Sequence, residues 1–172
     1  MNNDKKVAEI LLTINAVKLQ PSNFFTWSSG RKSPIYCDNR LILSYVEERN
    51  FIRDLFCQHI ENNFSQVEYI AGVATGAIAH GMMVASKLNL PFVYIRDKAK
   101  NHGKQNQIEG FLKQDSNVLV IEDLISTGKS SINAMNAIKK NNANVIGLMS
   151  IFTYEIADVT KFKVPYISLS NY

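Results

Sequence analysis

Cysteine is scarce in this sequence. Only Cys37 and Cys57 occur among the 172 residues, and two thiols can form one disulfide bridge at most. Their spacing resembles no metal-binding knuckle. A disulfide scaffold is therefore not expected, and a reducing compartment fits the composition better.

Long apolar runs are also missing. Residues 1–6 are polar and charged, and no apolar segment with a cleavage site follows them, so no targeting signal is expected. The longest uncharged run, residues 69–86, is interrupted by Gly72, Gly76 and Gly81, whereas a membrane span needs roughly 20 mostly apolar residues. We interpret this run as a buried strand, a glycine-containing turn and the start of a helix, and we expect a cytoplasmic protein with no membrane partner.

The chain as a whole has no strong excess of charge. Its formal net charge is +4, which does not by itself indicate a nucleic-acid partner. Residues 96–104 hold four basic side chains and one acid, so most of the excess lies in this one segment. A short charged run is usually a solvated surface loop. A cationic loop would also suit a reaction that expels a polyanion such as pyrophosphate.

The apolar pattern predicts an α/β fold around a mainly parallel sheet, because buried strands alternate with helices. A first helix is expected over residues 6–18, and a second from Ser44, where Glu47 gives a capping-box spacing. Five strands are expected, at 67–73, 91–95, 117–121, 144–152 and 164–169, and two further helices at 77–88 and 130–140. No repeat or linker divides the chain, so one domain is expected. Ligands of such sheets bind beyond the carboxyl ends of the strands.

The strongest chemical signal is the segment 118–131. An apolar run leads directly into Glu122 and Asp123, and a turn of small residues and a helix follow. Two adjacent carboxylates at the end of a buried strand repel each other, so a sugar diol, a metal ion or both are expected as partners. The turn and the helix N-terminus offer backbone N–H groups and hydroxyls for a phosphate. Together these features predict a site for ribose 5-phosphate.

A nucleotide-binding P-loop is the competing interpretation of this segment. Gly128, Lys129 and Ser130 match the end of that motif, but the motif requires a glycine five residues before Gly128. That position holds Asp123, so a P-loop is excluded.

The segment 118–131 resembles the phosphoribosyl pyrophosphate (PRPP) signature of the type I phosphoribosyltransferases. Residues 25–40 resemble the N-terminal hood motif of the orotate phosphoribosyltransferases, in the form seen in Gram-positive bacteria. Residues 96–104 are similar to their mobile catalytic loop, and residues 72–76 to their pyrophosphate loop. The resemblance extends to residues 152–155 and covers most of the chain.

This resemblance implies a central, mainly parallel sheet flanked by helices, with a small N-terminal hood. Residues 1–43 would form the first helix and the hood, and residues 44–172 the α/β core. Relatives usually continue into a further helical segment, so the C-terminus is expected to be short. The family's loop reaches into the neighbouring subunit's site, which implies a homodimer with shared sites. No nucleic-acid partner is expected.

The resemblance also assigns residues to roles in the transfer of ribose 5-phosphate from PRPP to orotate. Lys100, His102 and Asp123 would be catalytic, and Ser126 would contact orotate. The PRPP-binding residues would be Arg96, Lys100, His102, Glu122, Asp123, Leu124, Ile125, Ser126, Thr127, Gly128, Lys129 and Ser130. The pyrophosphate loop would be Ala74, Thr75 and Gly76, with a cis peptide between the first two. Mg²⁺ would be held mainly by PRPP and water, with no direct protein ligand.

Four positions depart from basic residues found in some family members, namely Ser28, Gly76, Asp97 and Thr153. The last aligns with an arginine that some members use on the base. Orotate recognition is then expected to depend on Ser126, on backbone amides of the hood and on Arg40. A purine phosphoribosyltransferase, a PRPP-sensing regulator without turnover and an inactive dimer-forming remnant remain as alternatives.

Overall fold

A six-stranded β-sheet forms the centre of the molecule. The computed structural model describes residues 3–27, 30–97 and 107–172. In spatial order the strands are β10 (Tyr166–Asn171), β9 (Asn144–Thr153), β8 (Asn117–Ile125), β5 (Tyr69–Val73), β6 (Phe92–Ile95) and β7 (Ile108–Glu109). All neighbours pair in parallel except β6 and β7, which pair antiparallel. The predicted mainly parallel sheet is therefore confirmed.

Both faces of the sheet are buried, which explains why its strands are almost continuously apolar. Successive side chains of a strand point to opposite faces. In β8, Leu119 and Ile121 belong to one hydrophobic cluster, whereas Val118 and Val120 belong to the other. All four are fully buried.

Within the described residues, four α-helices cover these two faces. Residues of α1 (Asn3–Thr13), α2 (Val46–Asn63) and α3 (Ala77–Leu88) contribute to the first cluster. Residues of α4 (Lys129–Lys140) pack into the second. In the ranges that the structure describes, no helix is long and apolar enough to cross a bilayer. Cys37 and Cys57 are free and buried.

Short N-terminal strands and the 3₁₀ helix that follows them, together here called the hood, cover one end of the sheet. In the hood, β1 (Val17–Leu19) pairs with β4 (Ile35–Cys37), and β2 (Phe25–Thr26) pairs with β3 (Lys32–Ser33), both antiparallel. A 3₁₀ helix (Asn39–Ser44) follows. Trp27 stacks on Tyr154 with ring centroids 4.3 Å apart, and its Nε1 donates to the carbonyl of Ile35. This packing fastens the hood to the end of β9.

Two predictions for the N-terminal part of the chain are wrong. The first helix ends at Thr13, not at residue 18, because Asn15 adopts a positive φ of 57° and the chain then turns into β1. The capping box at Ser44 is also wrong, since Ser44 ends the 3₁₀ helix. The second helix begins at Val46, and Tyr45 precedes it without a side-chain cap.

The later elements lie close to their predicted places, with one consequential difference. The helix at 77–88 is confirmed, and so is the strand–turn–helix interpretation of residues 69–86. However, β8 continues to Ile125 and pairs with β9 as far as Thr153. Glu122 and Asp123 therefore lie within the strand and not beyond its end. The two-residue strand β7 was not predicted.

Candidate active site

A cavity of about 320 Å³ opens at the carboxyl ends of β5 and β8. Four segments that the sequence singles out meet there: the hood, the pyrophosphate loop, the acid pair and the start of α4. The lining residues are Cys37, Asp38, Arg40, Val73, Ala74, Thr75, Gly76, Glu122, Asp123, Leu124 and Ser130. Placement at the carboxyl edge of a parallel sheet is typical of ligand sites in α/β folds.

The two acids occupy different environments because successive strand residues face opposite ways. Glu122 is 5% exposed. Its Oε2 accepts a hydrogen bond from Ser131 Oγ at 3.3 Å, and its Oε1 accepts one from the Asp123 amide at 3.2 Å. Burial, and then the charge of Asp123, raise the pKa of Glu122 well above its usual range. Asp123 is half-buried, and its side chain lines the cavity.

Glu122→Gln is expected to stabilise the free protein in a pH-dependent way. An unfolded glutamate loses its proton near pH 4.5, whereas the folded protein holds the proton to higher pH. The carboxyl group therefore destabilises the fold as the pH rises above that value. We expect no gain in Tm at about pH 4 and a gain of a few degrees at about pH 8, since 1 kcal/mol shifts Tm by about 2–4 °C at this size.

Thermal unfolding monitored by circular dichroism at both pH values measures this difference. Glu61→Gln, at an exposed position of α2, controls for replacing a carboxylate with an amide. A gain of equal size at both pH values would contradict the assignment of a buried, protonated Glu122.

The pyrophosphate loop lies directly against Asp123. The peptide between Ala74 and Thr75 is cis, as expected, and the Ala74 amide donates to the carbonyl of Ile95 at 2.8 Å. A Cβ added to Gly76 would overlap the Asp123 carboxylate. The missing side chain at Gly76 is therefore what lets the loop and the acid approach each other.

The start of α4 has the features of an anion site. Gly128 precedes the helix with φ at 77°, which favours glycine, and a Cβ there would lie 2.7 Å from the Phe162 ring. No side chain caps the helix, and the first N–H groups of a helix have no acceptor within it. Ser130 lines the cavity. The neighbouring residues do not line it: Ile125 ends β8, Ser126, Thr127 and Gly128 form the adjoining turn, and Lys129 begins α4.

Thr153 supports the end of β8 and does not line the cavity. It is 6% exposed, and its Oγ1 donates to the carbonyl of Ile125 at 3.3 Å. The amide of Tyr154 donates to the same carbonyl at 3.1 Å. Thr153 therefore holds the last residue of β8 in place. This role is not visible in the sequence, because the contact joins residues that are distant in the chain.

Arg96 directly follows β6 and does not line the cavity. Its Nη1 lies 3.4 Å from Glu109 Oε1. Gln107 Nε2 donates to the carbonyls of Arg96 and Asp97, which brings the two ends of the intervening segment together. Lys100, His102 and Ser28 lie outside the described residues.

Arg40 is the one cation among the described residues that line the cavity. Its guanidinium group forms a two-pronged contact with Asp38, with Nε 2.7 Å from Oδ1 and Nη2 2.9 Å from Oδ2. Hydrogen bonding from Arg40 lowers the pKa of Asp38. The pair fixes the direction of the arginine at the hood side of the cavity. In the described ranges, no three His, Cys, Asp or Glu side chains cluster as metal ligands.

The fold and this site together define a phosphoribosyltransferase of type I. The family model described as "Phosphoribosyl transferase domain" matches residues 46–166. Two orotate phosphoribosyltransferases, from Staphylococcus epidermidis and Phocaeicola vulgatus, are 52% and 51% identical over 98% of this chain, which spans 85% and 82% of their lengths. The chain belongs to the orotate phosphoribosyltransferase family.

Solved structures agree with this assignment. The orotate phosphoribosyltransferase from Aeropyrum pernix has a TM-score of 0.84 at 26% identity and covers 96% of this chain and 93% of its own. An adenine phosphoribosyl transferase from Trypanosoma brucei has a TM-score of 0.71 at 19% identity, covering 96% of this chain and 79% of its own, and shows likeness of fold alone.

Proposed function

We propose that this chain transfers ribose 5-phosphate from PRPP to orotate, giving orotidine 5′-monophosphate and pyrophosphate on the route to UMP. The observation that carries the proposal is the single cavity in which the acid pair, the pyrophosphate loop, the start of α4 and the hood meet. High identity to orotate phosphoribosyltransferases over nearly the whole chain supports the choice of base. Two free, buried cysteines support the cytoplasm as its location.

The two acids have different roles in binding the ribose. Asp123 accepts from a ribose hydroxyl, and its charge stabilises the positive charge that develops at the anomeric carbon as the bond to pyrophosphate breaks. Glu122, beside it in β8, contacts the neighbouring hydroxyl. Leu124 and Ile125 lead into the residues 126–130, whose amides and hydroxyls bind the 5′-phosphate. Ser126 also contacts orotate.

The leaving pyrophosphate is held by Ala74, Thr75 and Gly76 on one side and by Arg96, Lys100 and His102 on the other. The contacts from Arg96, Lys100 and His102 are supported by the local positive charge of residues 96–104, which suits a developing polyanion.

The loop formed by residues 96–104 acts across a homodimer. Exposed apolar side chains of Leu41, Tyr45 and Val46 offer a surface for the second subunit.

Mg²⁺ fits the donors of this site as an ion held mainly by the substrate. In the proposed complex, the ribose hydroxyls occupy the carboxylates of the cavity. Water and phosphate oxygens then remain as ligands for Mg²⁺, and these are the ligands that it usually takes when it binds with a phosphate substrate. The ion, when bound, neutralises charge on the pyrophosphate oxygens. The protein's part is to orient those oxygens through the amides of the pyrophosphate loop.

Arg40 is assigned to the carboxylate of orotate. Arg40→Gln is expected to raise KM for orotate by about 10- to 100-fold, since a charged hydrogen bond contributes about 1.5–3 kcal/mol. Loss of the guanidinium group would also leave Asp38 facing an anionic substrate. KM for PRPP should change far less. Steady-state kinetics with each substrate varied in turn measures both values.

Arg49→Gln is the matched control, because Arg49 donates to the carbonyl of Leu43 and does not line the cavity. An equal rise of both KM values in Arg40→Gln would remove Arg40 from base recognition.

The function is tested by release of pyrophosphate from PRPP with orotate, adenine or hypoxanthine, with and without Mg²⁺. The expected result is Mg²⁺-dependent turnover with PRPP and orotate, and no turnover with PRPP and either purine base. Turnover with a purine base would identify a purine enzyme. PRPP binding without turnover, accompanied by salt-sensitive nucleic-acid binding, would identify a regulator.

A further inference from the structure

Asn39 lies at the junction of three parts of the site. It is fully buried, and its side-chain Nδ2 donates to the backbone carbonyl of Asp123 at 2.6 Å. Its Oδ1 accepts from Cys37 Sγ at 3.2 Å. Its own carbonyl lies 3.2 Å from His80 Nε2. One side chain and its backbone thus join the hood, the strand that carries the acids and helix α3.

The carbonyl that Asn39 meets lies where β8 has lost a strand neighbour. The pairing of β5 with β8 ends at the Gly72–Ile121 pair, whereas β9 accompanies β8 to its end. Among the described residues, no strand pairs with β8 on the β5 side beyond Ile121. The Asn39 amide adds a side-chain donor to the backbone of β8 at Asp123, the residue whose carboxylate faces the cavity.

The surroundings hold this amide in one orientation. Burial raises the pKa of the Cys37 thiol, so the thiol keeps its proton and donates to Oδ1, which leaves Nδ2 for Asp123. Burial lowers the pKa of His80. Because the Asn39 carbonyl can only accept, the neutral His80 ring carries its proton on Nε2. His80 Nδ1 has no partner among the described residues, so Nε2 alone ties the ring to the hood.

We infer that Asn39 is a positioning residue, which sets the direction of the Asp123 carboxylate through the hydrogen bond from its amide to the Asp123 carbonyl. The inference rests on the proposed function for its kinetic test. Asn39 is not among the residues lining the cavity and acts only through Asp123. The same bond links the hood, on the side assigned to the base, to the acid assigned to the ribose.

Asn39→Ala removes the donor and is expected to lower kcat with orotate by about 100-fold, the cost of misplacing a reacting group by roughly 1 Å. Both KM values should stay within about threefold, because no binding group is lost. His80→Ala is the matched control. It removes the contact to the Asn39 backbone and keeps the amide bond to Asp123, so it should lower Tm while kcat stays within about threefold.

Equal losses of kcat in the two variants, or a loss in Asn39→Ala below about threefold, would overturn the inference and leave Asn39 a packing residue. Should Asn39→Ala fail to fold, Asn39→Ser takes its place, since its hydroxyl is one bond shorter and does not reach the carbonyl.

A crystal structure of the folded variant tests the same point without any activity. The Asp123 carboxylate should be displaced relative to the unsubstituted protein, and an unchanged carboxylate would overturn the inference. Absence of orotate turnover in the unsubstituted protein would instead contradict the proposed function, so the two failures are distinguishable.

Discussion

Asp123→Asn lowers kcat by about 100- to 1,000-fold, the expected cost of removing one preorganised electrostatic group from a transition state. The amide fills the same volume and still accepts a hydrogen bond from a ribose hydroxyl. It carries no negative charge, so the positive charge that develops at the anomeric carbon loses its nearest counter-charge. KM for PRPP should change little, because the substrate in its ground state carries no such positive charge.

Initial rates at saturating orotate and PRPP measure this effect. Asp54→Asn is the control, because Asp54 lies exposed on α2 beside Arg53 and an exposed ion pair contributes little. A rise in KM for PRPP at unchanged kcat would contradict the assignment, since that pattern indicates uniform binding and not transition-state stabilisation.

The parts of the fold that sequence predicts well are those governed by local pattern. Helix α3 matches its predicted bounds, because its apolar face and the glycines before it are local signals. The buried strands β5, β8 and β9 are each recognisable as apolar runs. Their alternation with helices is sufficient to predict the parallel sheet and the edge that carries the site.

The errors occur where tertiary contacts override local pattern. The apolar spacing continues past Thr13, but Val17 reaches the core from β1 by pairing with Cys37. Strand β8 extends through both acids because β9 pairs with it up to Ile125 and Thr153. A two-residue strand such as β7 has no periodicity to detect.

In the candidate site, too, the features set by short segments are predictable from the sequence, and those set by tertiary contacts are not. The acid pair, the pyrophosphate loop and the turn before α4 can be found from residue types in short segments. The roles of Asn39 and Thr153 cannot, because their partners are Asp123 and Ile125, 84 and 28 residues away. Such contacts between a side chain and a distant carbonyl leave no pattern in a single sequence.

Gly76→Ala is expected to lower kcat/KM for PRPP by about 100-fold without destabilising the fold. The backbone at Gly76 has φ at −60° and ψ at −38°, so alanine fits the conformation without strain. The new methyl group would, however, overlap the Asp123 carboxylate. Because the backbone accepts the substitution, relief comes from movement of the carboxylate, away from the position that the ribose requires.

Gly81→Ala separates this effect from simple crowding. A Cβ at Gly81 would lie 2.9 Å from the Phe92 ring and 3.4 Å from Gly72 Cα, so the variant strains the packing of α3 on the sheet and leaves Asp123 alone. Its Tm should fall while kcat changes little, the reverse of Gly76→Ala. If Gly76→Ala instead lowered Tm and left kcat/KM unchanged, Gly76 would matter for packing and not for the position of Asp123.

The double variant Gly76→Ala with Asp123→Asn distinguishes displacement of the acid from damage to the pyrophosphate loop itself. If the methyl group acts by displacing the carboxylate, it has little further effect once Asp123→Asn has removed the negative charge. The fold-loss of kcat/KM in the double variant is then far smaller than the product of the two single fold-losses. Losses that multiply would show that the loop fails independently of Asp123. The expected non-additivity follows because Gly76 of the pyrophosphate loop and Asp123 of β8 share one small volume, so that the lack of a side chain at the glycine leaves room for the carboxylate.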